Sequence, residues 1–286
     1  MKALLKAVNA GPGIVASTLI VSLIIGPALP DWAGIALFYC GLAVVGFLGA
    51  GVGESLAVRV LFSARALNEN ERIGMAPVIV ALCHLELGPP VVELFVSRRH
   101  GSPAAIAHGR RSIVLAPELV HAILTRQLPH REAVAVIAHA SLVARSGLSR
   151  QDLAIHFWST PWRILVAIGR PLHGVFGFAW KIRVIVFGIA IWQSFGAGLS
   201  SHGLDGSVVA AMLFILLALT YLMPRWAAGW QTHVEKSADR ELVARGLGSP
   251  MAAFLRRYPQ TTATIGRVQL LDQTREQEPG LRLVGA

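Results

Sequence analysis

Charged residues and cysteine are both scarce in this chain of 286 residues. Asp, Glu, Lys and Arg together make up 15% of it, whereas an average globular domain carries about a quarter. The two cysteines, Cys40 and Cys83, have no cysteine or histidine at zinc-site spacing, so neither a disulfide framework nor a cysteine-zinc site is predicted. Hydrophobic residues instead supply 54% of the chain, and its mean hydropathy is +0.57. One water-soluble core cannot hide that much apolar surface, which favours a membrane protein.

Positive charge is in excess, with a formal net charge of +10. In a soluble protein such an excess would raise nucleic acid as a partner. Here the basic residues stand beside apolar stretches in short groups, without interleaved aromatic residues on which bases could stack. The bias of Lys and Arg toward the cytoplasmic side of a membrane explains the charge more simply. We therefore expect the lipid bilayer as a partner, and no nucleic acid.

Four apolar runs interrupt the chain, and each approaches the ~20 residues needed to cross the hydrocarbon of a bilayer. They cover residues 14–29, 33–53, 184–199 and 208–223. The first run follows a basic start at Lys2 and Lys6, so its alternative interpretation is a signal peptide. Only three residues separate it from the second run, which suits a helical hairpin better than a cleaved signal peptide. The sequence thus predicts a mainly α membrane protein with about four transmembrane helices.

Basic residues stand only at those ends of the runs that would lie on the same side of a membrane. They precede the first run and follow the second and the fourth, at Lys2, Lys6, Arg59, Arg65, Arg72 and Arg225. The short links at residues 30–32 and 200–207 carry no Lys or Arg. By the positive-inside rule, we expect an integral membrane protein whose termini and soluble part face the cytoplasm.

The soluble part is expected to be an α+β domain with a small sheet. The predicted division is a transmembrane hairpin at 1–58, a cytoplasmic domain at 59–183, a second hairpin at 184–223 and a cytoplasmic C-terminal part at 224–286. Segments rich in Val and Ile at 91–97 and 112–116 predict short strands. Start and stop signals predict helices over 117–128 and 129–146. A further helix is predicted over 233–245, before Gly246.

Three local segments, taken in order with the apolar runs, resemble a known family. They read AAIAHG at 104–109 with SIVLA at 112–116, REAVAVIAHASLV at 131–143, and HVEKSADR at 233–240. These segments are similar to the signature regions of the HtpX and CAAX prenyl protease type membrane zinc metalloproteases. The resemblance implies a degenerate member of that family, in which the soluble domain is zincin-like and the C-terminal part completes it.

The segment at 131–143 is similar to the family's xEhxAVhAHExxH helix. In that helix two histidines at i and i+4 share one face and bind zinc, and the Glu between them takes a proton from the metal-bound water. Here His139 matches the first histidine, while Ala140 stands at the Glu and Val143 at the second histidine. The resemblance therefore implies that the general base and one metal ligand have been lost.

The segment at 233–240 is similar to the family's ExxAD helix. By resemblance, Glu235 is the third zinc ligand and Asp239 supports the ligands from behind. Carboxylates at i and i+4 repel by roughly 0.2–0.5 kcal/mol on an isolated helix, so a cationic or metal partner is expected near them. Without the resemblance, His139 is more often a hydrogen-bonded core histidine. The two carboxylates would then pair with Arg240 or Lys236 on a solvated face.

The segment at 104–109 is similar to the family's NAFATG edge strand. Zincins hold substrate peptides by adding a strand to such an edge. The family's Asn stands as Ala104 in this sequence. The predicted peptide-binding edge consists of Ala104, Ala105, Ile106, Ala107, His108 and Gly109.

The expected function follows from what the motif lacks. Losing a general base typically costs about 10²–10⁴ in rate, and His139 with Glu235 makes a two-ligand site where catalytic zinc usually has three. We therefore expect an inactive protein without a cofactor that binds membrane or unfolded proteins. The alternative is an active membrane zinc protease whose ligands have moved, recruiting His156 or His233. A transport role is disfavoured because the apolar runs contain no Lys, Arg, Asp or His.

Overall fold

The computed structural model describes two compact units of the chain. The described residues are 2–22, 28–89, 91–98, 104–164, 166–167, 188–189, 192, 206–258 and 261–277. The first unit, here called the apolar unit, comprises Met1–Val45 and Ile155–Gln231. The second, here called the sheet unit, comprises Gly46–Ala154 and Thr232–Ala286.

Most of the described chain is helical. The helices are α1 (Lys2–Ile20), α2 (Asp31–Ala50), α3 (Glu54–Leu61), α4 (Glu69–His84), α5 (Pro117–Leu124), α6 (His130–Arg145), α7 (Asp152–Trp158), α8 (Gly206–Ala244), α9 (Gly248–Arg256) and α10 (Thr262–Gln277). The strands are β1 (Ala64–Ala66), β2 (Glu93–Ser97), β3 (Ala105–His108) and β4 (Ser112–Leu115). The predicted helices at 117–128 and 129–146 correspond to α5 and α6, and the one at 233–245 is the end of α8.

One helix in the described part of the chain is long and apolar enough to cross a membrane. It covers Trp32–Ala50, with a mean hydropathy of 2.0 and 6% of its apolar window buried. Signal sequences share this length and composition, so the finding establishes a membrane-compatible N-terminal helix.

The prediction of about four transmembrane helices is wrong. Among the described residues one helix, and not four, is long and apolar enough to cross a membrane. The run at 14–29 overlaps α1, which ends at Ile20, and the run at 208–223 is one part of the 39-residue α8, whose second half carries charged residues. The run at 184–199 lies outside the described residues except for 188, 189 and 192.

The sheet unit contains a small mixed sheet with the strand order β1-β2-β4-β3. The pair β2–β4 is parallel, and the other two pairs are antiparallel. The predicted strands at 91–97 and 112–116 are confirmed as β2 and β4. All four residues of β4 are buried, as expected for a strand with neighbours on both sides. Strand β3 therefore lies at one edge of the sheet.

The helix α6 packs into the centre of the main core of this unit. Its side chains from Glu132 to Ala138 are all buried. The many alanines among them allow the close approach of neighbouring elements, which include β3 and α9. Glu132 is the charged exception, and Arg257 pairs with it through two hydrogen bonds of 2.7 and 2.9 Å. The core thus holds α6, and with it His139, in a defined position.

Candidate functional site

The three polar residues expected at the site converge on one arginine side chain. Arg267, on α10, donates from Nε to Asp239 Oδ2 and from Nη2 to Asp239 Oδ1, each over 2.9 Å. The same Nη2 lies 3.3 Å from His139 Nε2, and Nη1 lies 3.4 Å from Glu235 Oε2. His139 Nε2 is also 3.2 Å from Asp239 Oδ1. We call His139, Glu235, Asp239 and Arg267 the guanidinium cluster.

Burial is uneven within the guanidinium cluster. The side chain of Asp239 is 0% exposed and that of His139 is 12% exposed, while Arg267 and Glu235 are 16% and 24% exposed. A carboxylate without contact to water needs a charged partner in the protein, because an isolated buried charge is very unfavourable. The bidentate contact with Arg267 meets that requirement for Asp239.

The electrostatics of the cluster favour charged forms of its central pair. Burial raises the pKa of Asp239, but hydrogen bonds from His139 and Arg267 outweigh it and hold that pKa below the usual 3.8. Burial lowers the pKa of Arg267, but its hydrogen bonds with Asp239 outweigh that effect and raise the pKa overall. The pair therefore remains ionic at neutral pH.

His139 has two possible partners for the same ring nitrogen. An arginine can only donate hydrogen bonds and an ionised carboxylate can only accept them. His139 Nε2 therefore donates to Asp239 when it carries a proton, and accepts from Arg267 when it does not. In either form the imidazole nitrogen that would face a metal is engaged within the cluster.

The residues present do not fit a zinc ion. Ala140, at the position of the general base, is buried and has no polar atom. Val143, at the position of the second histidine, packs against the main core. The guanidinium of Arg267 also places a permanent positive charge in contact with each remaining donor, where it opposes a second cation. Within the described residues, no group of three or more His, Cys, Asp or Glu side chains is arranged to hold a metal.

Arg267 is the site residue that sequence reasoning missed. The expected cation beside the two carboxylates was Arg240 or Lys236, but both are exposed on α8. Arg267 instead reaches Asp239 from 28 residues further along the chain. Its neighbours Val268 and Leu271 are buried, but the apolar pattern of α10 is too weak to show in the sequence which face of this helix packs inward.

The two histidines considered as relocated ligands have other surroundings. His156 belongs to the apolar unit, where its Nδ1 lies 2.6 Å from Arg163 Nη1. Burial and the charge of Arg163 lower the pKa of His156 to about 4. His233 is on α8 two residues before Glu235, and side chains at that spacing point to different faces of a helix. It therefore does not share the face that Glu235 presents to Arg267.

The predicted peptide-binding edge is one of the two edges of the sheet, opposite the edge formed by β1. It comprises β3 with Ala104 before it and Gly109 after it, and no strand of the described residues pairs with its other side. The amide N–H of Ala116 donates to Ala104 O over 2.9 Å. Hydrogen-bonded pairs alternate along an antiparallel ladder, so the N–H and C=O groups of Ala105 and Ala107 point away from β4. Ile106 is 54% exposed, which leaves an apolar side chain beside these groups.

No protein-family model, curated protein or solved structure matches this chain. A fold would not by itself imply an activity, so function is argued from the guanidinium cluster and from the free edge of β3. The guanidinium cluster argues against catalysis, and the free edge of β3 argues for binding.

The pH dependence of stability provides one test of the cluster. Because the pKa of Asp239 is held below 3.8, this group stabilises the fold above the pKa of the unfolded chain. That contribution is lost as the pH falls through the lower folded-state pKa. We expect Asp239→Asn to flatten the loss of stability below about pH 4, as measured by urea unfolding at a series of pH values. Asp272→Asn, at a partly exposed ion pair with Arg256, is the control that should keep the wild-type slope. Equal slopes for all three proteins would contradict the assignment.

Proposed function

We propose that this chain is a membrane-attached relative of the HtpX-type metalloproteases that has lost zinc catalysis and binds extended protein segments. The observation that supports it best is the position of Arg267, whose guanidinium contacts His139, Glu235 and Asp239 together. In the family that the sequence resembles, those positions serve the metal. Here one protein cation neutralises their charge.

Hydrolysis is disfavoured by the chemistry of the side chains present. Peptide cleavage by the family's mechanism needs a base beside the activated water, and Ala140 offers none. It also needs a metal with an open coordination position. Arg267 takes the contacts that two of the three ligands would use. Binding without cleavage is the activity that remains.

The free edge of β3 is the proposed binding surface. An extended segment that adds a strand there would bond to the outward N–H and C=O groups of Ala105, since Ala107 is only 7% exposed. Such bonds involve only main-chain atoms of the partner and accept many sequences, which suits membrane or unfolded proteins as partners. The exposed side chain of Ile106 adds an apolar contact.

Attachment through α2 would determine where this binding occurs. The apolar helix at Trp32–Ala50 is preceded by Asp31 and followed by the basic residues Arg59, Arg65 and Arg72. The positive-inside rule then directs the residues after α2 to the cytoplasm. The binding edge would thus face proteins at the cytoplasmic surface of the membrane.

A proline at Ala105 tests the proposed function. Ala105→Pro removes one outward N–H without breaking a hydrogen bond between β3 and β4, as is tolerated on an edge strand. We expect affinity for a permanently unfolded model protein and for immobilised extended peptides to fall roughly 2–10-fold, the loss of about one net hydrogen bond. Biolayer interferometry measures the affinity, and peptide fragmentation in the same mixtures measures cleavage.

The matched control is Ala105→Val, which keeps the N–H and favours a strand. It should bind as the wild type does, and no variant should cleave the peptides. Equal affinities for Ala105→Pro and Ala105→Val would exclude this edge as the binding surface. Chelator-sensitive cleavage by the purified wild-type protein would overturn the proposal as a whole.

A further inference from the structure

A polar cavity lies where the apolar helix α2 ends. It has a volume of about 480 Å³ and is lined by residues 50–55 of the turn into α3 and by the loop between β3 and β4. Its charged side chains are Glu54, Glu93, Arg110 and Arg111. The guanidinium cluster contributes none of these residues.

The wall of this cavity is built around the carboxylate of Glu54. Glu54 Oε2 accepts the N–H of Arg110 over 3.0 Å, and Oε1 accepts those of Arg111 and Ser112 over 2.8 and 2.9 Å. Gly109 adopts a φ of +78°, and a Cβ atom there would come within 2.6 Å of Glu54 Oε1. These contacts fix the backbone of the loop between β3 and β4, and therefore the Cα positions of Arg110 and Arg111.

The Arg110 side chain is anchored at the wall of this cavity. Its Nη2 donates to Gly49 O over 3.0 Å, at the C-terminal end of α2. Its Nε is buried and has no hydrogen-bond partner among the described residues. Because Nε is buried, a ligand in the cavity would meet the remaining N–H groups of the guanidinium. Arg111 beside it is exposed, so the two guanidinium groups form a site of the kind that binds phosphate.

The surroundings indicate which phosphate compound fits. The cavity has two arginines and two glutamates, so its charges balance and favour a zwitterion over a simple anion. Just beyond it, α3 exposes Leu56 and Val60, which are 66% and 70% exposed and stand on one face at i and i+4. A short amphipathic helix of this kind, directly after an apolar helix, is typical of the membrane interface.

We propose that this cavity binds the headgroup of a zwitterionic phospholipid that carries a primary ammonium group. Its phosphate diester is held by Arg110 and Arg111, and its ammonium group by the exposed carboxylate of Glu93. Its acyl chains lie against the apolar face of α3, formed by Leu56 and Val60. This inference rests on the proposed attachment of the chain to a membrane through α2.

Retention of defined lipids by the purified full-length protein tests the inference. The protein is incubated in detergent with phosphatidylethanolamine or phosphatidylglycerol, and native mass spectrometry counts the bound lipids over a titration. We expect Arg111→Gln to weaken retention of both lipids by roughly tenfold, the effect of losing a hydrogen bond to a charged group. Glu93→Gln should abolish only the preference for phosphatidylethanolamine. Arg131→Gln removes an equal charge from an exposed site on α6 and should leave retention unchanged.

Three outcomes would overturn the inference. One is retention by Arg111→Gln at the wild-type level, and another is a preference for phosphatidylglycerol that Glu93→Gln does not alter. The third is displacement of the lipid by an equal concentration of soluble phosphoethanolamine, which would identify a free phosphate ester as the ligand. Alkaline carbonate extraction of wild-type membranes separates this inference from the proposed function. Release of the protein would refute membrane attachment itself, whereas a retained protein whose lipid binding ignores Arg111 would refute the headgroup site alone.

Discussion

Replacing Arg267 with methionine should lower the free energy of unfolding by about 3–5 kcal/mol. The substitution keeps the length of the aliphatic side chain but removes the cation that contacts Asp239, whose side chain is 0% exposed. Asp239 would then be a buried charge without its main partner, and Glu235 would lose its contact as well. Urea unfolding in detergent micelles, followed by far-UV circular dichroism, measures the change.

The control for this prediction is a second arginine with an acidic partner. Arg256 pairs with Asp272, but their side chains are 52% and 39% exposed. Exposed ion pairs contribute about 0–1 kcal/mol, so Arg256→Met should have little effect. The double variant Arg267→Met with Asp239→Leu should recover much of the loss, because replacing both members of a buried pair by apolar residues is often neutral. Equal stabilities of Arg267→Met and Arg256→Met would contradict the central role of Arg267.

Zinc binding should appear only when two substitutions are combined. Val143→His supplies the second histidine at i+4 from His139, and Arg267→Ala removes the guanidinium from between His139 and Glu235. The double variant then has three donors, the usual number for a zinc site that keeps one open position. We expect near-stoichiometric zinc in the double variant, measured by competition with a chromophoric chelator, and negligible zinc in either single variant.

The combination of Val143→Ala with Arg267→Ala is the matched control, because it opens the same space without adding a donor. It should bind no more zinc than the wild type. Cleavage of peptides is not expected in any of these proteins, since Ala140 still provides no general base. A folded double variant that binds no zinc would show that His139, residue 143 and Glu235 do not face a common point. Stoichiometric zinc in the wild-type protein would contradict the conclusion that the guanidinium cluster does not fit a zinc ion.

Local patterns predicted some elements of the sheet unit, whereas α3, α4, α9, α10 and β1 were not predicted. The Val- and Ile-rich segments became β2 and β4, and the helix signals at Pro117 and Pro129 mark the starts of α5 and α6. These features depend on alternation, propensity and capping, which act over a few residues. Strand β3 lies at an edge of the sheet. An edge strand was expected there from the family resemblance, and not from the residues alone.

Properties that depend on length or on distant contacts were predicted less well. Four apolar runs were taken as transmembrane helices, but one helix of the described residues is long and apolar enough to cross a membrane. The partner of Asp239 was sought within one helical turn, at Lys236 or Arg240. It lies instead on α10, after α9 and an intervening turn. Spacing along a helix cannot show which other helix packs against it, so Arg267 could be recognised only from the fold.

The guanidinium cluster also makes it difficult for single substitutions to convert this site into a metal site. A first substitution that introduces a histidine at 143 is expected to gain no metal while Arg267 remains. A first substitution that removes Arg267 leaves a buried carboxylate without its cation and weakens the fold. Each path toward a metal site therefore begins with a step that is useless or harmful by itself. Zinc chemistry at this site would therefore need two coincident mutations.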